Sequence, residues 1–505
     1  MYCVLYAVLL KKHKKLIEQI RSTTSQKLKM SNVENWLNAI IKEKENKPHI
    51  ANISQPPTSS LSEIIESSEK FPINFPIDTI RCKVLQKTVN EENLNTYINS
   101  AYPLIHEATL YLYQAFLNHK RQYGNDIEKE LYLNMNVVDL VERFLKKRAV
   151  YFVGQQDKWM LINKSRGFGN FESVGTTNEI GELVLANCLS YDEIKLSALM
   201  SISSYTYFIN DGNRMNDGIP SEDKSNIEEN GVIIGLIGPR LEKENVMEYQ
   251  DVVMDIRQNV ESNGYGNNGE TSTVGFFSNF YKKENQTYDE FLSNHDHDDF
   301  INIENDQFFD KLTYSKRLTL SFDTLLLEAN SRAEKQEKSS YIHLVGIGLG
   351  VWAHTEEQTQ IFMDTFIDRI MFLGQYLKSV SDIHFAYFRG KSAGGYKNGD
   401  KISIENHPNE GIKILISKRE PHQKMIDENL GKLLVVSYAW DGNAFPGNEF
   451  WYGSLHGSGD PAAAASTQIA EIHNPYINKV VCGENLHVAT KNGMKRIDEY
   501  VKEKL

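Results

Sequence analysis

From residue 341 onward, short apolar runs alternate with longer segments in which apolar residues recur at helical spacing. A short run rich in Leu and Val without internal charge predicts a buried strand, whereas recurrence every three to four residues predicts a helix. The predicted strands cover 343–352, 383–388, 412–417, 433–440 and 479–482. The predicted helices cover 356–377, 421–429 and 461–472. This alternation indicates an α/β fold in which helices cover both faces of a sheet.

The pattern upstream is mainly helical. Residues 91–147 keep helical spacing, and residues 32–44 predict an exposed helix. Residues 52–76 hold closely spaced Pro and Ser, which is typical of a linker. A helix at 191–200 and strands at 205–209 and 232–237 follow. The predicted units are an N-terminal extension with its linker (1–75), a helical cap (76–150) and a catalytic region (151–505), whose core is 341–482 and whose surface insertions span about 259–310.

The bulk composition narrows the functional classes. The chain has 505 residues, 40% hydrophobic and 24% charged, as expected for a globular protein of two or three structural units. Its net charge of −12 argues against nonspecific nucleic-acid binding, which needs a basic surface. The four cysteines show no CxxC spacing, so neither a disulfide framework nor a structural zinc site is expected. The apolar run at residues 2–10 is too short to cross a bilayer, and secretion by the general export route is disfavoured.

The segment that follows the predicted strand 433–440 carries the clearest chemistry. Three acids, Asp441, Glu449 and Asp460, lie in a turn-rich stretch with several aromatic residues and glycines. Pro461 suits the first position of the next helix, and Asp460 suits its N-cap. A strand, a Gly-rich loop and a helix N-terminus together form a site for an anion such as phosphate. Asp460 can cap the helix or face the ligand's sugar, and a pyrophosphate on the same amides rules out the first role.

Four other motifs have structural explanations that compete with functional ones. The GxGxG at 346–350 fits a tightly packed strand better than a dinucleotide fingerprint, but it can line a nucleotide pocket together with Trp352. The GxSxG at 390–394 suggests a serine hydrolase with Ser392 as nucleophile, but a loop follows where that motif requires a helix. The His/Asp cluster at 294–299 is interpreted as a solvated charge run, and the polar segment 206–214 as a turn or a pocket wall.

One long motif resembles a known family. It runs Asp441-Gly442-Asn443-Ala444-Phe445-Pro446-Gly447-Asn448-Glu449-Phe450-Trp451 and is followed by Ser458-Gly459-Asp460-Pro461-Ala462-Ala463. Softer blocks at 345–352 and 208–214 support the match. These residues resemble the MavL-like macrodomain effectors of Legionella-type bacteria, whose relatives also occur in some eukaryotes. The resemblance covers roughly residues 80–482 and leaves the N-terminal extension unmatched.

The resemblance implies a three-layer macrodomain-like core, similar to poly(ADP-ribose) glycohydrolases, with the helical cap upstream. It also implies hydrolysis of ADP-ribose from modified proteins, including ubiquitin that carries ADP-ribose on arginine. Members of the family are delivered into the host cytoplasm by a type IV secretion system. The family's functional carboxylates fall on Asp441, Glu449 and Asp460, and Glu449 departs from the aspartate of the family's pattern at the second position.

The expected site follows from this chemistry. Cleavage of an ADP-ribosyl bond needs one carboxylate to activate water or stabilise positive charge at the ribose carbon, and one acid to assist the leaving group. This scheme needs no metal and no cofactor. The expected partners are ADP-ribose and an ADP-ribosylated protein, without nucleic acid or membrane. The expected ADP-ribose contacts are Gly442, Asn443, Phe445, Gly457, Ser458, Gly459, Trp451, Gly348 and Trp352.

Two alternative functions stay open at this point. In a non-catalytic ADP-ribose reader, the three acids would only hold ribose hydroxyls. In a serine hydrolase, Ser392 would act with Asp441 and with His473 or His487, which follow it in the chain order of the α/β-hydrolases. Turnover separates the enzyme from the reader, and labelling of Ser392 by a fluorophosphonate probe would indicate the serine hydrolase.

Overall fold

A computed structural model of the protein describes residues 32–50, 53–293, 298–303 and 306–504. Its centre is a ten-stranded sheet. In chain order the strands are β1 (Tyr102–His106), β2 (Met200–Tyr207), β3 (Asn230–Leu236), β4 (Ser340–Leu344), β5 (Val380–Ala386), β6 (Lys401–Ser403), β7 (Gly411–Ser417), β8 (Leu433–Ala439), β9 (His487–Thr490) and β10 (Gly493–Arg496). Their spatial order in the sheet is β6-β7-β5-β4-β8-β3-β2-β1-β9-β10.

Five neighbouring strands in the middle of the sheet, β7, β5, β4, β8 and β3, run parallel. Strand β2 is antiparallel to both β3 and β1, and β9 is parallel to β1. The outermost strands β6 and β10 are antiparallel to their neighbours. Because parallel strands end at the same edge, the loops that follow β3, β4, β5 and β8 meet there. In open α/β sheets this carboxyl edge is where ligands bind.

Two apolar cores lie on opposite faces of the sheet. On β3, Val232 and Ile234 belong to one core, whereas Ile233 between them belongs to the other. This is the alternation expected for a strand that is covered on both faces. The 25-residue helix Lys311–Lys335, the central helix, packs in the first core, and most of its residues are buried. The α/β prediction, with helices on both faces, is therefore confirmed.

The other regular elements surround this sheet. A helix covers residues 32–41. The further helices are Leu61–Lys70, Cys82–Leu85, Glu91–Asn99, Glu107–Tyr123, Asp126–Tyr132, Val137–Lys146, Tyr191–Ser197, Tyr249–Val252, Thr273–Tyr281, Tyr288–Ser293, Gln358–Leu373, Asn448–Tyr452, Gly459–Ala464, Ile469–Ile472 and Ile497–Lys504. Three small antiparallel sheets are formed by Tyr151–Val153, Lys158–Met160 and Arg166–Phe168; by Val253–Met254, Gln307–Asp310 and Phe300–Ile303; and by Ser392–Ala393 with Tyr396–Lys397.

Several predicted elements are present within a few residues of their expected bounds. Strands β5, β7 and β8 correspond to the runs 383–388, 412–417 and 433–440. Strands β2 and β3 contain most of the runs 205–209 and 232–237, and the helices Tyr191–Ser197 and Gln358–Leu373 match the predicted 191–200 and 356–377. Within the described ranges, no helix combines the length and the apolar composition needed to cross a membrane.

Four predicted elements are wrong in part or in full. The run 343–352 leaves the sheet after Leu344 and then turns at Gly348, which has a φ of +70°. The run 479–482 is a turn in which the Asn485 side-chain amide donates to the Val480 carbonyl. The strand of this region is β9. Residues 421–429 form turns and a short 3₁₀ segment instead of a helix. The predicted helix 461–472 is divided into two short helices by residues 465–468.

The upstream region is tied into the same structure. Strand β1, which the helical pattern of 91–147 did not predict, pairs with β2 and β9 in the central sheet. The helix at 32–41 is not exposed on all sides, because the Trp36 indole donates a 2.7 Å hydrogen bond to the Phe280 carbonyl and is 3% exposed. The division into domains stays a prediction. Residues 1–31, with the run 2–10, and residues 294–297 of the His/Asp cluster lie outside the described residues.

A buried ion pair joins the central helix to the helix Gln358–Leu373. Arg369 donates to both carboxylate oxygens of Asp323 at 2.7 and 2.8 Å, and each side chain is 2% exposed. The Nε2 atom of His106 on β1 lies 3.6 Å from the same carboxylate. Removal of one partner would leave the other charge buried without compensation.

We expect Asp323→Ala to lower the free energy of unfolding by about 3–5 kcal/mol, the range for breaking a buried pair. The matched control is Glu244→Ala, which removes an exposed pair with Arg257 (side chains 47% and 66% exposed) and should cost less than about 1 kcal/mol. Urea unfolding measures both variants. Equal midpoints for the two variants would contradict the assigned role of the buried pair.

Candidate active site

A cleft of about 980 Å³ opens at the carboxyl edge of the sheet. Its floor includes side chains from β3, β4 and β8 that share one face, namely Ile233, His343, Val436 and Tyr438. Its walls come from the loops after β4 and β5, from the segments 212–214 and 420–422, and from the start of the helix Gly459–Ala464. A volume of this size accommodates a ligand of several rings.

The loop after β8, residues 440–447, brings the three predicted acids together with the helix Gly459–Ala464. Both oxygens of the Asp460 carboxylate accept backbone hydrogen bonds: Oδ2 from the Asp441 amide at 2.9 Å and Oδ1 from the Gly447 amide at 2.8 Å. Gly447 has a φ of +99° and is the residue before the helix Asn448–Tyr452. A residue without Cβ is favoured in this left-handed conformation.

The predicted N-cap role of Asp460 is wrong. Asp460 is the second residue of its helix, Pro461 is the third, and the preceding residue Ser458 makes no side-chain cap. Because the Asp460 carboxylate bonds amides of the neighbouring loop, it does not occupy the amides at the start of its own helix. The conflict between a capping carboxylate and a bound pyrophosphate therefore disappears.

Asp441 lies directly beside Asp460, which accepts a hydrogen bond from the Asp441 amide. The Asp441 Oδ2 accepts a hydrogen bond from the Asn448 side-chain amide, and its Oδ1 accepts one from the Asn443 backbone amide at 3.3 Å. Asn448 also bonds both backbone groups of Phe152, so it fixes the loop to the small sheet. Burial raises the pKa of Asp441 to about 8, helped by the charge of Glu449 and opposed by Arg240.

One of the two carboxylate oxygens of Glu449 is unpaired within the described residues. Its Oε1 accepts a 3.1 Å hydrogen bond from the Ser458 hydroxyl, and its buried Oε2 has no hydrogen-bond partner in the described part of the chain. Burial raises the pKa of Glu449, while the Ser458 hydroxyl opposes this shift. Burial also raises the pKa of Asp460, and the charges of Glu449 and Asp441 add to that effect. The three carboxyl groups therefore influence one another's ionisation.

Two buried arginines stand near these acids, and the sequence analysis did not identify either. Arg240, in the loop after β3, pairs with Asp157 at 2.9 Å and with Glu242 at 2.8 Å. Arg148 donates to the Gly442 carbonyl and lies 4.5 Å from the centre of the Trp440 ring. The charge of Arg240 favours ionisation of Asp441. Both residues come from segments remote in sequence, so no local motif predicted their position near the acids.

The predicted ADP-ribose contacts divide into two groups. Gly459 lines the cleft, and Gly442, Asn443 and Ser458 lie in the hydrogen-bonded acid cluster. Gly457 is exposed beside that cluster, and its amide donates to the Arg214 carbonyl at 3.1 Å. These residues are therefore close to the acids or to the cleft.

The remaining predicted contacts are placed elsewhere. The Phe445 side chain is fully buried, with its ring 5.6 Å from that of Tyr476. The Trp451 indole is 5% exposed, packs 5.0 Å from the Phe75 ring and donates to the Pro446 carbonyl. Both aromatic side chains stabilise the loop from within, which corrects their expected role as ligand contacts. An aromatic residue in a motif can serve packing as well as binding.

The glycine motif at 346–350 is a loop and not a strand. Gly346 and Gly350 line the cleft, whereas Gly348 packs against Pro239 of the loop after β3. The next helix begins only at Gln358, so a dinucleotide fingerprint is excluded by position. Trp352 is half-buried, and its carbonyl accepts a hydrogen bond from the Leu241 amide. It does not line the cleft.

The serine-hydrolase alternative is not supported. Ser392 lies in the two-residue strand Ser392–Ala393, without the helix that a nucleophile elbow needs. His473 bonds Ser204 and Tyr438, and the Nδ1 atom of His487 lies 2.9 Å from the Asn485 carbonyl. Among the described residues, no cluster of His, Cys, Asp and Glu side chains is arranged to hold a metal ion.

Comparisons with known proteins place most of the chain among named relatives. The family model "ADP-ribosylhydrolase MavL-like" matches residues 62–503. The chain is 44% identical to the ADP-ribosylarginine hydrolase CG2909 of Drosophila melanogaster over 458 residues, which is 88% of this chain and 89% of that protein. It is 43% identical to the ADP-ribosylarginine hydrolase CG3568 of the same organism over 445 residues, 86% and 87% of the two chains.

These matches define the protein's class as an ADP-ribosyl hydrolase. The chain belongs to the MavL-like ADP-ribosylhydrolase family. The recognition made on the DGNAFPGNEFW motif is thereby confirmed, and so is the prediction that the protein is an enzyme.

The raised pKa of Asp441 predicts a pH-dependent stability. A carboxyl group whose folded pKa is raised contributes its full stability below its unfolded pKa, about 3.9, and loses that contribution as the pH rises toward about 8. We therefore expect Asp441→Asn to match the wild type near pH 4 and to become more stable than it between pH 4 and 8. Unfolding free energies in urea across this range measure the difference. The control Glu222→Gln replaces an exposed acid, and its free energy of unfolding should depend on pH as that of the wild type does. If the curve for Asp441→Asn ran parallel to the wild-type curve, the raised pKa of Asp441 would be contradicted.

Proposed function

We propose that this enzyme hydrolyses the bond between ADP-ribose and an arginine side chain of a modified protein. ADP-ribose would occupy the cleft, with its reacting ribose at Asp441, Glu449 and Asp460. The observation that carries the proposal is a cluster of three acids directly beside the cleft. The cleft-lining residues Ala439 and Gly459 adjoin this cluster in sequence, although none of the three acids itself lines the cleft. The arginine linkage is supported by the two Drosophila relatives, which are named ADP-ribosylarginine hydrolases.

The contacts suggest a separate role for each acid. Asp460 is a positioning residue, because both of its oxygens hold loop amides. Glu449 has a free oxygen that can take a proton from water, so we assign it as the base. Asp441, whose pKa is raised to about 8, is protonated at neutral pH and can act as the acid.

The reaction then balances as a hydrolysis. The water oxygen bonds to the anomeric carbon of the ribose while its proton passes to Glu449. The carbon–nitrogen bond breaks, and its electron pair stays on the guanidine nitrogen, which receives the proton of Asp441. The carboxylate charge near the ribose stabilises the oxocarbenium-like transition state. Free ADP-ribose and an unmodified arginine result.

The finer description of the fold also belongs to this proposal. A mixed sheet with five parallel central strands and helices on both faces is what we expect of a three-layer macrodomain-like core. The helices between residues 76 and 150 would form its cap. ADP-ribose bound at the carboxyl edge, in the loops after β4 and β8, fits this arrangement.

The identity of the modified protein and the setting of the reaction are further proposals. Ubiquitin modified on arginine is the substrate that the family resemblance suggests. Delivery into a host cytoplasm by a type IV secretion system is likewise proposed from that resemblance alone. A translocation reporter fused to the chain tests the second point, and absence of delivery from a secretion-competent strain would contradict it.

A non-catalytic ADP-ribose reader is the alternative from another class. In a reader, the acids would only accept hydrogen bonds from ribose hydroxyls, and ionised carboxylates suit that role. A buried carboxyl group with a raised pKa and a second one with an unused oxygen instead suit proton transfer. Release of free ADP-ribose from an arginine-ADP-ribosylated protein would support the hydrolase, whereas tight binding without release would support the reader.

We expect Asp441→Ala and Asp460→Ala each to lower turnover by about 100-fold, the scale of a lost acid–base group or of its positioning. The assay is release of ADP-ribose from a protein modified on arginine, compared with one modified on another residue type. Asp217→Ala is the matched control, because that acid is 48% exposed and pairs with His456 at the surface. Normal turnover in both active-site variants would show that the cluster is structural.

We also expect Gly459→Val to weaken ADP-ribose binding by about 10-fold or more, because a branched side chain would enter the cleft. Gly459→Ala is the control. An added Cβ would lie 3.6 Å from the Ala439 Cβ, an ordinary contact, so its effect on the fold should be small. Isothermal calorimetry with free ADP-ribose measures both variants. Wild-type affinity in Gly459→Val would place the ligand elsewhere.

A further inference from the structure

His343 lies on the floor of the cleft and has no part in the reaction described above. It belongs to β4, on the same sheet face as Val436 and Tyr438, which also line the cleft. The side chain is 1% exposed. A buried imidazole next to a ligand cleft can present either a donor or an acceptor, and its environment decides which.

The protein fixes one of the two ring nitrogens of His343. Its Nε2 atom is 3.0 Å from the backbone carbonyl of Arg419, and a carbonyl only accepts, so Nε2 carries the hydrogen. Burial lowers the pKa of His343 to about 3, which keeps the ring neutral at physiological pH. In the neutral ring the other nitrogen, Nδ1, is therefore an acceptor. This Nδ1 is buried and has no partner in the described part of the chain.

Two other buried histidines near the cleft floor are fully paired. The ring of His384 is 6.1 Å from that of His343, and its nitrogens contact the Tyr341 hydroxyl at 2.6 Å and Ser417. His473 bonds the hydroxyl groups of Ser204 and Tyr438. Because buried polar atoms almost always have a partner, the unused acceptor of His343 indicates a group that the cleft receives from outside.

The position of His343 indicates which part of the ligand this group belongs to. His343 is opposite Val436 in the parallel register of β4 and β8. Val436 lies four residues before Trp440, where the loop 440–447 begins. At about 3.3 Å per residue, His343 stands roughly 13 Å from that loop. In ADP-ribose, two phosphates separate the reacting ribose from adenosine. With the reacting ribose at the acids, the portion near His343 is the adenosine half.

We propose that the Nδ1 atom of His343 accepts a hydrogen bond from the adenosine half of ADP-ribose, either from the adenine amino group or from a hydroxyl of the adenosine ribose. This inference rests on the proposed function, because it requires ADP-ribose in the cleft. It makes His343 a specificity residue for the nucleoside end of the substrate, separate from the acids that act on the other ribose.

Calorimetry with free ADP-ribose tests the proposal on the full chain. We expect His343→Phe, which removes the acceptor, to weaken binding by about 10-fold. His343→Gln keeps a carbonyl acceptor and an amide donor and should recover part of this loss. His384→Phe is the matched control, because that ring uses both nitrogens within the protein. It should melt at a lower temperature and bind ADP-ribose as the wild type does. An equal loss of affinity in His384→Phe and His343→Phe would overturn the proposal.

Ligand analogues separate the two donors. Inosine diphosphate ribose replaces the adenine amino group by a carbonyl, and analogues with a deoxy adenosine ribose remove one hydroxyl each. The analogue that lacks the true donor should bind the wild type about 10-fold more weakly than ADP-ribose does. This analogue should bind His343→Phe and the wild type with equal affinity, because the hydrogen bond is absent from both complexes. If His343→Phe weakens every ligand by the same factor, the assigned hydrogen bond does not exist.

Failure of this inference differs from failure of the proposed function. If wild-type protein neither binds ADP-ribose nor releases it from a modified arginine, the proposed function is wrong and the inference fails with it. If wild-type protein binds and turns over while His343→Phe keeps wild-type affinity for ADP-ribose, only the role of His343 is wrong.

Discussion

The buried carboxylate of Asp460 joins the start of one helix to both ends of the loop that carries Asp441. Its two oxygens accept hydrogen bonds from the amides of Asp441 and Gly447, at 2.9 and 2.8 Å. Buried carboxyl oxygens without hydrogen-bond partners would be costly, and both oxygens of Asp460 have backbone donors. The conformation of the loop 440–447 therefore depends on the position of Asp460. The position of Asp441, the turn at Gly447 and the short helix that carries Glu449 all depend on this contact.

The neighbouring loops are held by close approach of the backbone. A Cβ on Gly238 would lie 2.2 Å from the Gly348 amide nitrogen, and a Cβ on Gly442 would lie 2.5 Å from Ile237. The loops after β3, β4 and β8 thus interlock at the carboxyl edge. Packing at this density leaves little freedom to any one of them. A rigid edge is what a site needs when it must hold a ribose against acids to within a fraction of an ångström.

Burial governs the electrostatics of the site as well as its geometry. Asp441, Glu449 and Asp460 all have raised pKa values, with burial as the largest cause. Arg240 offsets part of this effect at Asp441, but its own charge is shared with Asp157 and Glu242. At neutral pH, the protonated Asp441 and the unpaired Oε2 atom of Glu449 therefore belong to the same cluster. At the other end of the cleft, burial keeps His343 neutral and leaves it an acceptor.

The sequence by itself determined the features that depend on local order. Apolar runs marked β7 and β8, and the two motifs at 441–451 and 458–463 identified the three acids and the family. Only the tertiary structure decided that Asp460 anchors a loop, that Phe445 and Trp451 are packing residues, and that β1 joins the sheet. It also brought Arg148, Arg240 and His343 to the site from segments that share no motif with the acids. The physical reason is that a pattern of apolar and polar residues reports whether a side chain is buried, while its partner is chosen by contacts between segments far apart in the chain.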